Sequence, residues 1–269
     1  MSGEEIVGVK AKISHWNAQL MRTIFELVCL VDHEVRVNVT SESLRIAQMD
    51  PAHITMLCVD LRRNFFLDYE IHNEGVVELP VEQLVKMIRG SLKDCSMSLV
   101  LEGDVLHVEV LGSSALPSRR VSLKLGKPWR GEVTEPKPTF EAEITVGLRD
   151  FYDAIRQFTG YADYVRFYAS THGGFTLSSK ADEREISVTF GSPQIYSFHV
   201  EGEEAVAHYD VERLYRFLKT AVKLETAVKK DGRITIQYST DKPLKLALDS
   251  QIFDYNAEIY YLVAPAHPR

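Results

Sequence analysis

The stretches VEQLVKMIRGSLK (residues 81–93) and VERLYRFLKTAVK (residues 211–223) carry the pattern from which the rest of this chain can be interpreted. Read with a helical period, each places apolar residues on one face, starting at Val81 and at Val211. The opposite face of each begins with a glutamate and continues with three cations at steps of four, three and four residues. We therefore predict two amphipathic helices with matching cationic stripes, formed by Lys86, Arg89 and Lys93 and by Arg216, Lys219 and Lys223.

Matching stripes half a chain apart indicate a shared role. A single stripe with this order of charges is ordinarily a solvated face, because the helix dipole favours acids in the first turn and bases near the end. Helices that pack on one face of a sheet can turn their polar sides toward a common surface. We expect that surface to gather the six cations, with weaker contributions from two earlier helices through Arg22, Arg149 and Arg156.

Such a surface suits the phosphate backbone of a nucleic acid. Contacts from lysine and arginine to phosphates are independent of base sequence and weaken as salt is added. No aromatic residue is expected among the stripe cations, which argues against single-strand binding by base stacking. Double-stranded DNA, bound without sequence preference, is the expected partner.

Composition and charge describe an ordinary globular chain. Its 269 residues are 45% hydrophobic and 26% charged, with a net charge of −7 from 31 bases and 38 acids. This balance argues against nucleic-acid binding by the whole surface but permits a local cationic one. Three scattered cysteines are typical of core positions in a reducing cytosol. Because the sequence shows neither a signal peptide nor a run of about 18 apolar residues, we expect a cytoplasmic protein without a membrane partner.

The predicted elements follow the same order twice. Each half reads as strand, helix, several strands, helix and several strands, which favours an α+β fold with antiparallel sheets, duplicated in tandem. Residues 126–139, GKPWRGEVTEPKPT, hold three prolines and two glycines without a regular period, which is typical of a linker. We predict an N-terminal domain at 1–125, an interdomain linker at 126–139 and a C-terminal domain at 140–269.

No motif indicates catalysis. The nine histidines are dispersed, and the chain contains no HExxH, GxGxxG, GxxxxGK[ST] or GxSxG pattern. We therefore predict no catalytic residues, no metal ligands and no cofactor. An enzyme with a site assembled from distant residues is the alternative of a different class.

Two stretches resemble a known family. SLRIAQMDPAHITM at Ser43–Met56 is similar to a strand and MDP-S/A-H-V turn of the sliding clamps, the proliferating cell nuclear antigen family of archaea and eukaryotes. KPLKLALDSQIFDYNAEIYYLVAP at Lys242–Pro265 is similar to that family's PLK…YYLAP ending. The order of elements and the position of the linker extend the resemblance over nearly the whole chain, and we identify it as of archaeal type.

The resemblance implies a DNA polymerase processivity factor. In this family three subunits form a ring of six similar domains, with antiparallel sheets outside and helices lining the hole. Duplex DNA then meets the cationic helices while the rim is acidic, and the ring tethers replication and repair enzymes near the nucleoid through short peptide motifs. The implied partners are DNA polymerase, the clamp loader, flap endonuclease and DNA ligase.

The resemblance also implies how the ring closes. By family position, the edge strand Ser118–Lys124 of one subunit pairs with the edge strand Arg184–Phe190 of the next. We favour a homotrimer. The ending YYLVAP in place of YYLAP, and a first helix with Arg22 but no adjacent lysine pair, leave a heterotrimeric or checkpoint-type clamp subunit as the alternative.

A second site implied by the resemblance is an apolar pocket for partner peptides beneath the linker. An alternative for Met49, Ile54 and Met56 is that they are simply core residues. By family position the pocket residues are Met49, His53, Ile54, Met56, Pro128, Trp129, Pro243, Tyr261, Leu262 and Val263.

Overall fold

The computed structural model describes residues 8–90, 92–112, 117–126, 135–136, 138–181 and 184–267. The chain forms two compact units, of which unit 1 comprises Met1–Gln48 and Cys58–Val133. Unit 2 comprises Met49–Leu57 and Thr134–Arg269. The short segment Met49–Leu57 thus groups with the second unit, although it lies within the predicted first domain. Most of the predicted linker, including Pro128 and Trp129, lies outside the described residues.

Unit 1 combines antiparallel strands with two helices. Strands β5-β1-β7-β8-β9 form one sheet in that order, and β4-β3-β2-β6 are neighbours in a second. The elements are β1 (Lys10–His15), α1 (Ala18–Val28), β2 (Val35–Val39), β3 (Ser43–Met49), β4 (Thr55–Arg62), β5 (Asp68–Asn73), β6 (Gly75–Leu79), α2 (Val81–Met87), β7 (Ser96–Glu102), β8 (Val105–Leu111) and β9 (Arg119–Lys124).

Helix α1 begins at a side-chain cap. The Oδ1 atom of Asn17 accepts a hydrogen bond from the backbone N–H of Leu20 at 2.9 Å, which satisfies one of the free donors of the first turn. Leu20, Ile24 and Leu27 recur at helical spacing and are buried. The spacing of apolar residues therefore predicts which face of this helix is buried.

Helix α2 is shorter than the prediction of 81–93. It ends at Met87, because the backbone at Ile88 leaves the helical region with φ −85° and ψ 64°. Gly90 then adopts a φ of +92°, a conformation that side-chain-bearing residues rarely take. The Arg119 guanidinium donates to the Arg89 carbonyl, which supplies a partner outside the helix. Arg89 and Lys93 consequently follow the helix and are not part of a helical stripe.

Unit 2 repeats this order of elements. Its two groups of neighbouring strands are β14-β10-β16-β17-β18 and β13-β12-β11-β15. The elements are β10 (Ala142–Gly147), α3 (Leu148–Arg156), β11 (Tyr164–Ser170), β12 (Gly174–Ala181), β13 (Arg184–Phe190), β14 (Ile195–Val200), β15 (Glu204–Asp210), α4 (Val211–Val228), β16 (Arg233–Tyr238), β17 (Leu244–Leu248) and β18 (Ala257–Val263). This recurrence agrees with a tandem duplication of one α+β unit.

An aromatic cluster forms part of the unit 2 core. The Phe167 ring meets the rings of Tyr209 and Tyr238 edge-on, at centroid distances of 5.0 and 5.8 Å. The Tyr209 hydroxyl donates to the Lys242 carbonyl at 2.8 Å, so this buried polar group is satisfied. Burial raises the pKa of both tyrosines well above the ordinary range, and they remain neutral.

Helix α4 is longer than the prediction of 211–223. Asp210 caps its first turn by accepting from the Arg213 N–H at 2.9 Å, and the helix continues to Val228. The extra turn is held by Glu225, a buried residue whose carboxylate accepts from the Gly232 N–H at 2.9 Å and pairs with Arg149 at 3.1 Å. A hydrophobic pattern does not reveal such a tertiary anchor.

Strands β9 and β13 each lie at the end of their sheet order. These are the strands that the family resemblance assigns to subunit contact. The opposite end of the β13 sheet is different, because backbone N–H groups of Asp241 and Ala266 donate to the Val206 and His208 carbonyls of β15. In the part of the chain that the structure describes, no helix is long and apolar enough to cross a membrane.

The buried His15 makes unit 1 sensitive to acid. Its Nδ1 accepts from the Asn17 N–H at 2.9 Å, and its ring stacks on Phe65 at 4.7 Å. Burial lowers the pKa of His15 from 6.5 to about 4, so the folded chain holds a neutral ring where the unfolded chain binds a proton.

Stability should therefore fall as the pH drops from 6.5 to about 4, by at most about 3 kcal/mol from this residue. We expect His15→Gln to reduce the pH dependence of the unfolding free energy in this window, as measured by urea denaturation. His72→Gln, at an exposed position on the neighbouring β5, is the control and should leave the slope unchanged. Equal slopes for wild type and His15→Gln would contradict the assignment.

Candidate functional site

The cationic stripe of α4 is exposed along the helix. Arg216, Lys219 and Lys223 face solvent, while Leu214 and Leu218 are fully buried on the other side. In the part of the chain described, neither Arg216 nor Lys219 makes an ion pair with an acidic side chain. Arg216 and Lys219 therefore present positive charge that no contacting carboxylate among the described residues compensates.

Helix α3 contributes less net charge to this surface. Arg149 pairs with Glu225 at 3.1 Å, and Arg156 pairs with Asp153 at 3.4 Å. Each ion pair neutralises much of the field of its arginine at a distance. The weaker role that the sequence suggests for these two arginines stays a prediction, and this pairing supplies a physical reason for it.

Two tyrosines lie among the cations of α3 and α4, contrary to the expectation that no aromatic would. The rings of Tyr152 and Tyr215 stack at 5.9 Å across the two helices. Arg156 lies 5.7 Å from the centre of the Tyr152 ring, and Lys219 lies 5.5 Å from that of Tyr215. The signal was present in the sequence, since each tyrosine precedes its cation by four residues on a helix. Both rings are half-buried and engaged with each other, so they stiffen the surface.

Unit 1 carries a reduced version of the same surface. Arg22 pairs with Glu26 at 3.1 Å on α1, and Lys86 pairs with Glu82 at 2.7 Å on α2. Arg89 and Lys93 are exposed but lie beyond the end of α2. The two stripes that match in sequence are therefore not equivalent in structure, and α4 presents the stronger one.

The segment between β3 and β4 forms a tight loop, which we call the Asp50 loop (residues 50–55). The Asp50 Oδ1 atom accepts from the N–H groups of Ile54 at 2.7 Å and Thr55 at 2.9 Å. The Oδ2 atom meets the Arg213 Nη1 atom of α4 at 3.1 Å. At the tip, His53 adopts a φ of 57°, in the left-handed region.

The predicted pocket residues of unit 2 differ in accessibility. Met49 and Pro243 are half-buried, and His53 and Ile54 are exposed, with Ile54 at 37%. The others lie in the interior: Met56, Tyr261, Leu262 and Val263. Core packing therefore explains Met56 but does not explain Ile54, an apolar side chain in solvent.

The C-terminal strand is hydrogen-bonded to the Asp50 loop through the residue that follows the strand. The Ala264 N–H donates to the Ile54 carbonyl at 2.8 Å. Tyr261 stacks on Phe217 of α4 at 4.6 Å, and burial raises the pKa of Tyr261 to about 12, so its hydroxyl stays protonated. The loop, the strand and α4 thus form one packed arrangement within unit 2.

No metal centre accompanies these surfaces in the described residues, where no three His, Cys, Asp or Glu side chains converge as ligands would. Among the described residues, the arrangement offers charge and apolar contact.

The different burial of Met56 and Ile54 gives a direct test. Met56→Ala should lower the free energy of unfolding by about 2–5 kcal/mol, because it opens a cavity in the interior. Ile54→Ala should cost less than about 1 kcal/mol, since much of that side chain is already in water. Urea denaturation of both variants measures the difference, and equal losses would mean that Ile54 is also a core residue.

This chain is similar to several archaeal proteins. It is 23% identical over 260 residues to the DNA polymerase sliding clamp of Methanothermobacter thermautotrophicus, covering 95% of this chain and 97% of that protein. It is 24% identical over 248 residues to the DNA polymerase sliding clamp of Archaeoglobus fulgidus, covering 92% and 95%. No protein-family model matches the chain.

Two solved structures of archaeal PCNA have the same fold. A structure of the C-terminal region of FEN-1 bound to A. fulgidus PCNA matches with a TM-score of 0.80 and 22% identity, over 96% of this chain and 99% of that chain. PCNA from Thermococcus kodakaraensis matches with a TM-score of 0.82 and 18% identity, over 95% and 100%. This chain therefore has the PCNA fold and is similar over nearly its whole length to the archaeal DNA polymerase sliding clamps.

Proposed function

We propose that this chain is a DNA polymerase sliding clamp, a processivity factor without catalytic activity that encircles duplex DNA. The observation that carries the proposal is the exposed cationic face of α4, on a chain of net charge −7 with the PCNA fold. An acidic protein with one cationic helix face can hold DNA locally while its remaining surface repels it. The similarity to archaeal polymerase clamps favours this role over that of a checkpoint-type subunit.

The proposed DNA contacts are weak and diffuse. Arg216, Lys219 and Lys223 contact phosphates without reading bases, and Lys86, Arg89 and Lys93 contribute from unit 1. Arg22, Arg149 and Arg156 contribute less because each has an acidic partner, and the pair with Glu82 reduces the contribution of Lys86 in the same way. A closed ring needs little affinity, since its topology prevents dissociation, and low affinity permits sliding.

Ring closure would join β9 of one subunit to β13 of the next. Both strands end their sheets, and an unpaired edge is a template for another strand. The β9 edge exposes Arg120 and Lys124, which pair with Glu109 at 3.4 Å and Asp104 at 3.8 Å, and the β13 edge exposes Glu185, so a partner edge would meet charges of both signs. A head-to-tail contact of this kind produces a ring when the rotation closes, and we favour three identical subunits.

Partner proteins would dock at the Asp50 loop. The A. fulgidus PCNA structure holds the C-terminal region of FEN-1, and we propose that this chain takes a peptide of the same kind beside Ile54 and His53. Met49 and Pro243 would line the surroundings of the buried Met56, Tyr261, Leu262 and Val263. The other two predicted pocket residues, Pro128 and Trp129, lie outside the described residues. DNA polymerase, the clamp loader and DNA ligase are further proposed partners, in the cytoplasm at the nucleoid.

Charge reversal on α4 tests DNA encirclement. The triple variant Arg216→Glu, Lys219→Glu and Lys223→Glu should reduce polymerase stimulation at least about tenfold, because six units of charge change where phosphates would lie. Retention on nicked circular DNA after clamp loading, and its loss on linearisation, measures encirclement directly.

The matched control places the same charge change elsewhere. Lys10→Glu, Lys12→Glu and Arg62→Glu alter exposed cations on the strands of unit 1 and should leave stimulation near the wild-type value. Undiminished stimulation by the α4 variant, with its oligomeric state intact, would show that α4 does not face DNA.

The subunit count gives an independent test. Light scattering on the pure chain should give about three times the 30.6 kDa of one chain. Arg120→Glu with Lys124→Glu should shift this mass toward the monomer, since it reverses the charge of the β9 edge. Lys10→Glu with Lys12→Glu, on the interior strand β1, should leave the mass unchanged. A monomeric wild type at micromolar concentration would contradict the homotrimer.

A further inference from the structure

We propose that Arg213 is a positioning residue for partner peptides: its ion pair with Asp50 holds the Asp50 loop in the conformation that presents Ile54 and His53. The inference rests on the proposed peptide site but assigns the role to a residue outside it. Arg213 belongs to α4, and the pair joins Nη1 to Oδ2 at 3.1 Å.

Asp50 organises the loop from within. One carboxylate oxygen accepts from both Ile54 and Thr55, and the Asp50 carbonyl accepts from the His53 N–H at 2.9 Å. These bonds hold the loop closed around a residue, His53, whose φ of 57° is unfavourable for a side chain with a Cβ atom. Without Asp50 in place, the loop would lose the interactions that stabilise this conformation.

Arg213 fixes the other oxygen of the same carboxylate. The Asp50 side chain is only 10% exposed and that of Arg213 is 32% exposed, so the pair is screened less than a surface ion pair. Burial alone raises the pKa of Asp50, but the hydrogen bonds from Thr55 and Ile54 together with Arg213 outweigh it, and the pKa lies below its usual value. The ion pair is therefore complete at neutral pH.

The position of Arg213 on α4 separates it from the DNA-facing stripe. It lies three residues before Arg216, half-buried and directed toward the loop, while Arg216 is exposed. The same helix thus uses one arginine inward for the loop and the next outward for phosphates. This separation allows the two roles to be tested by identical substitutions one turn apart.

A disordered loop would weaken peptide binding, because Ile54 and His53 would have to become ordered when the peptide binds. The entropy cost of that ordering would make the free energy of association less favourable. The Ile54 carbonyl also accepts from Ala264, so the loop and the C-terminal strand would loosen together. We expect peptide affinity to depend on Arg213 even if the peptide never contacts it.

The experiment uses the full-length chain and a fluorescein-labelled peptide with the sequence of the FEN-1 C-terminal region that is bound to A. fulgidus PCNA in the solved structure. Fluorescence anisotropy should show about tenfold weaker binding for Arg213→Met, with substantial recovery in Arg213→Lys. Asp50→Asn should weaken binding as well, and the double variant Arg213→Met/Asp50→Asn should be no weaker than Arg213→Met alone. The matched control Arg216→Met should keep peptide affinity within about twofold of wild type while reducing DNA retention.

Amide hydrogen exchange distinguishes positioning from general destabilisation. Arg213→Met should accelerate exchange at Ile54 and Thr55 while leaving the interior amides of α4, such as that of Leu218, at the wild-type rate.

Unchanged peptide affinity in Arg213→Met overturns the inference and leaves the proposed clamp function standing. Uniformly faster exchange throughout unit 2 also overturns it, since Arg213 would then support only the fold. A wild-type chain that does not bind the peptide overturns the peptide site itself, and the DNA-retention assay would still report on the clamp.

Discussion

Burial of the apolar face of α4 is the constraint that organises unit 2. Leu214 and Leu218 are removed from water, and Phe217 stacks on Tyr261 of the C-terminal strand. That packing leaves no rotational freedom to the helix, so Arg216, Lys219 and Lys223 must face solvent and Arg213 must face the Asp50 loop. The exposed cationic surface of α4 and the position of Arg213 beside the Asp50 loop both follow from the burial of this apolar face.

The distribution of ion pairs sets the strength of the cationic surface. Cations on α1, α2 and α3 have carboxylate partners on their own or a neighbouring helix, which reduces their reach toward a distant phosphate. Exposed pairs of this kind add little to stability, so their main effect here is on the electrostatic field. In unit 2, the combination of the strongly cationic α4 with the compensated α3 would suit the proposed weak and diffuse contact with DNA.

Helices α2 and α4 differ in length although their sequence patterns match. Both stretches have the same spacing of apolar and cationic residues, yet α2 ends after seven residues and α4 continues for eighteen. Gly90 lies inside the first pattern and has no counterpart in the second, where the corresponding position is Thr220. In α4 the buried Glu225 adds a tertiary anchor beyond the pattern, whereas in α2 the Arg119 side chain takes the Arg89 carbonyl from outside.

Local spacing was sufficient for the α+β class, the duplication and the faces of α1 and α4, because these follow from periodicity and chain order. The edge positions of β9 and β13 came from the family resemblance. The resemblance at 43–56 and 242–265 led to the proposal of a peptide site at the Asp50 loop. Neither could show that Met49–Leu57 groups with the second unit, that Tyr152 stacks on Tyr215, or that Asp50 meets Arg213. Each of these joins residues far apart in the chain, and such contacts arise only when the folded backbone brings side chains together.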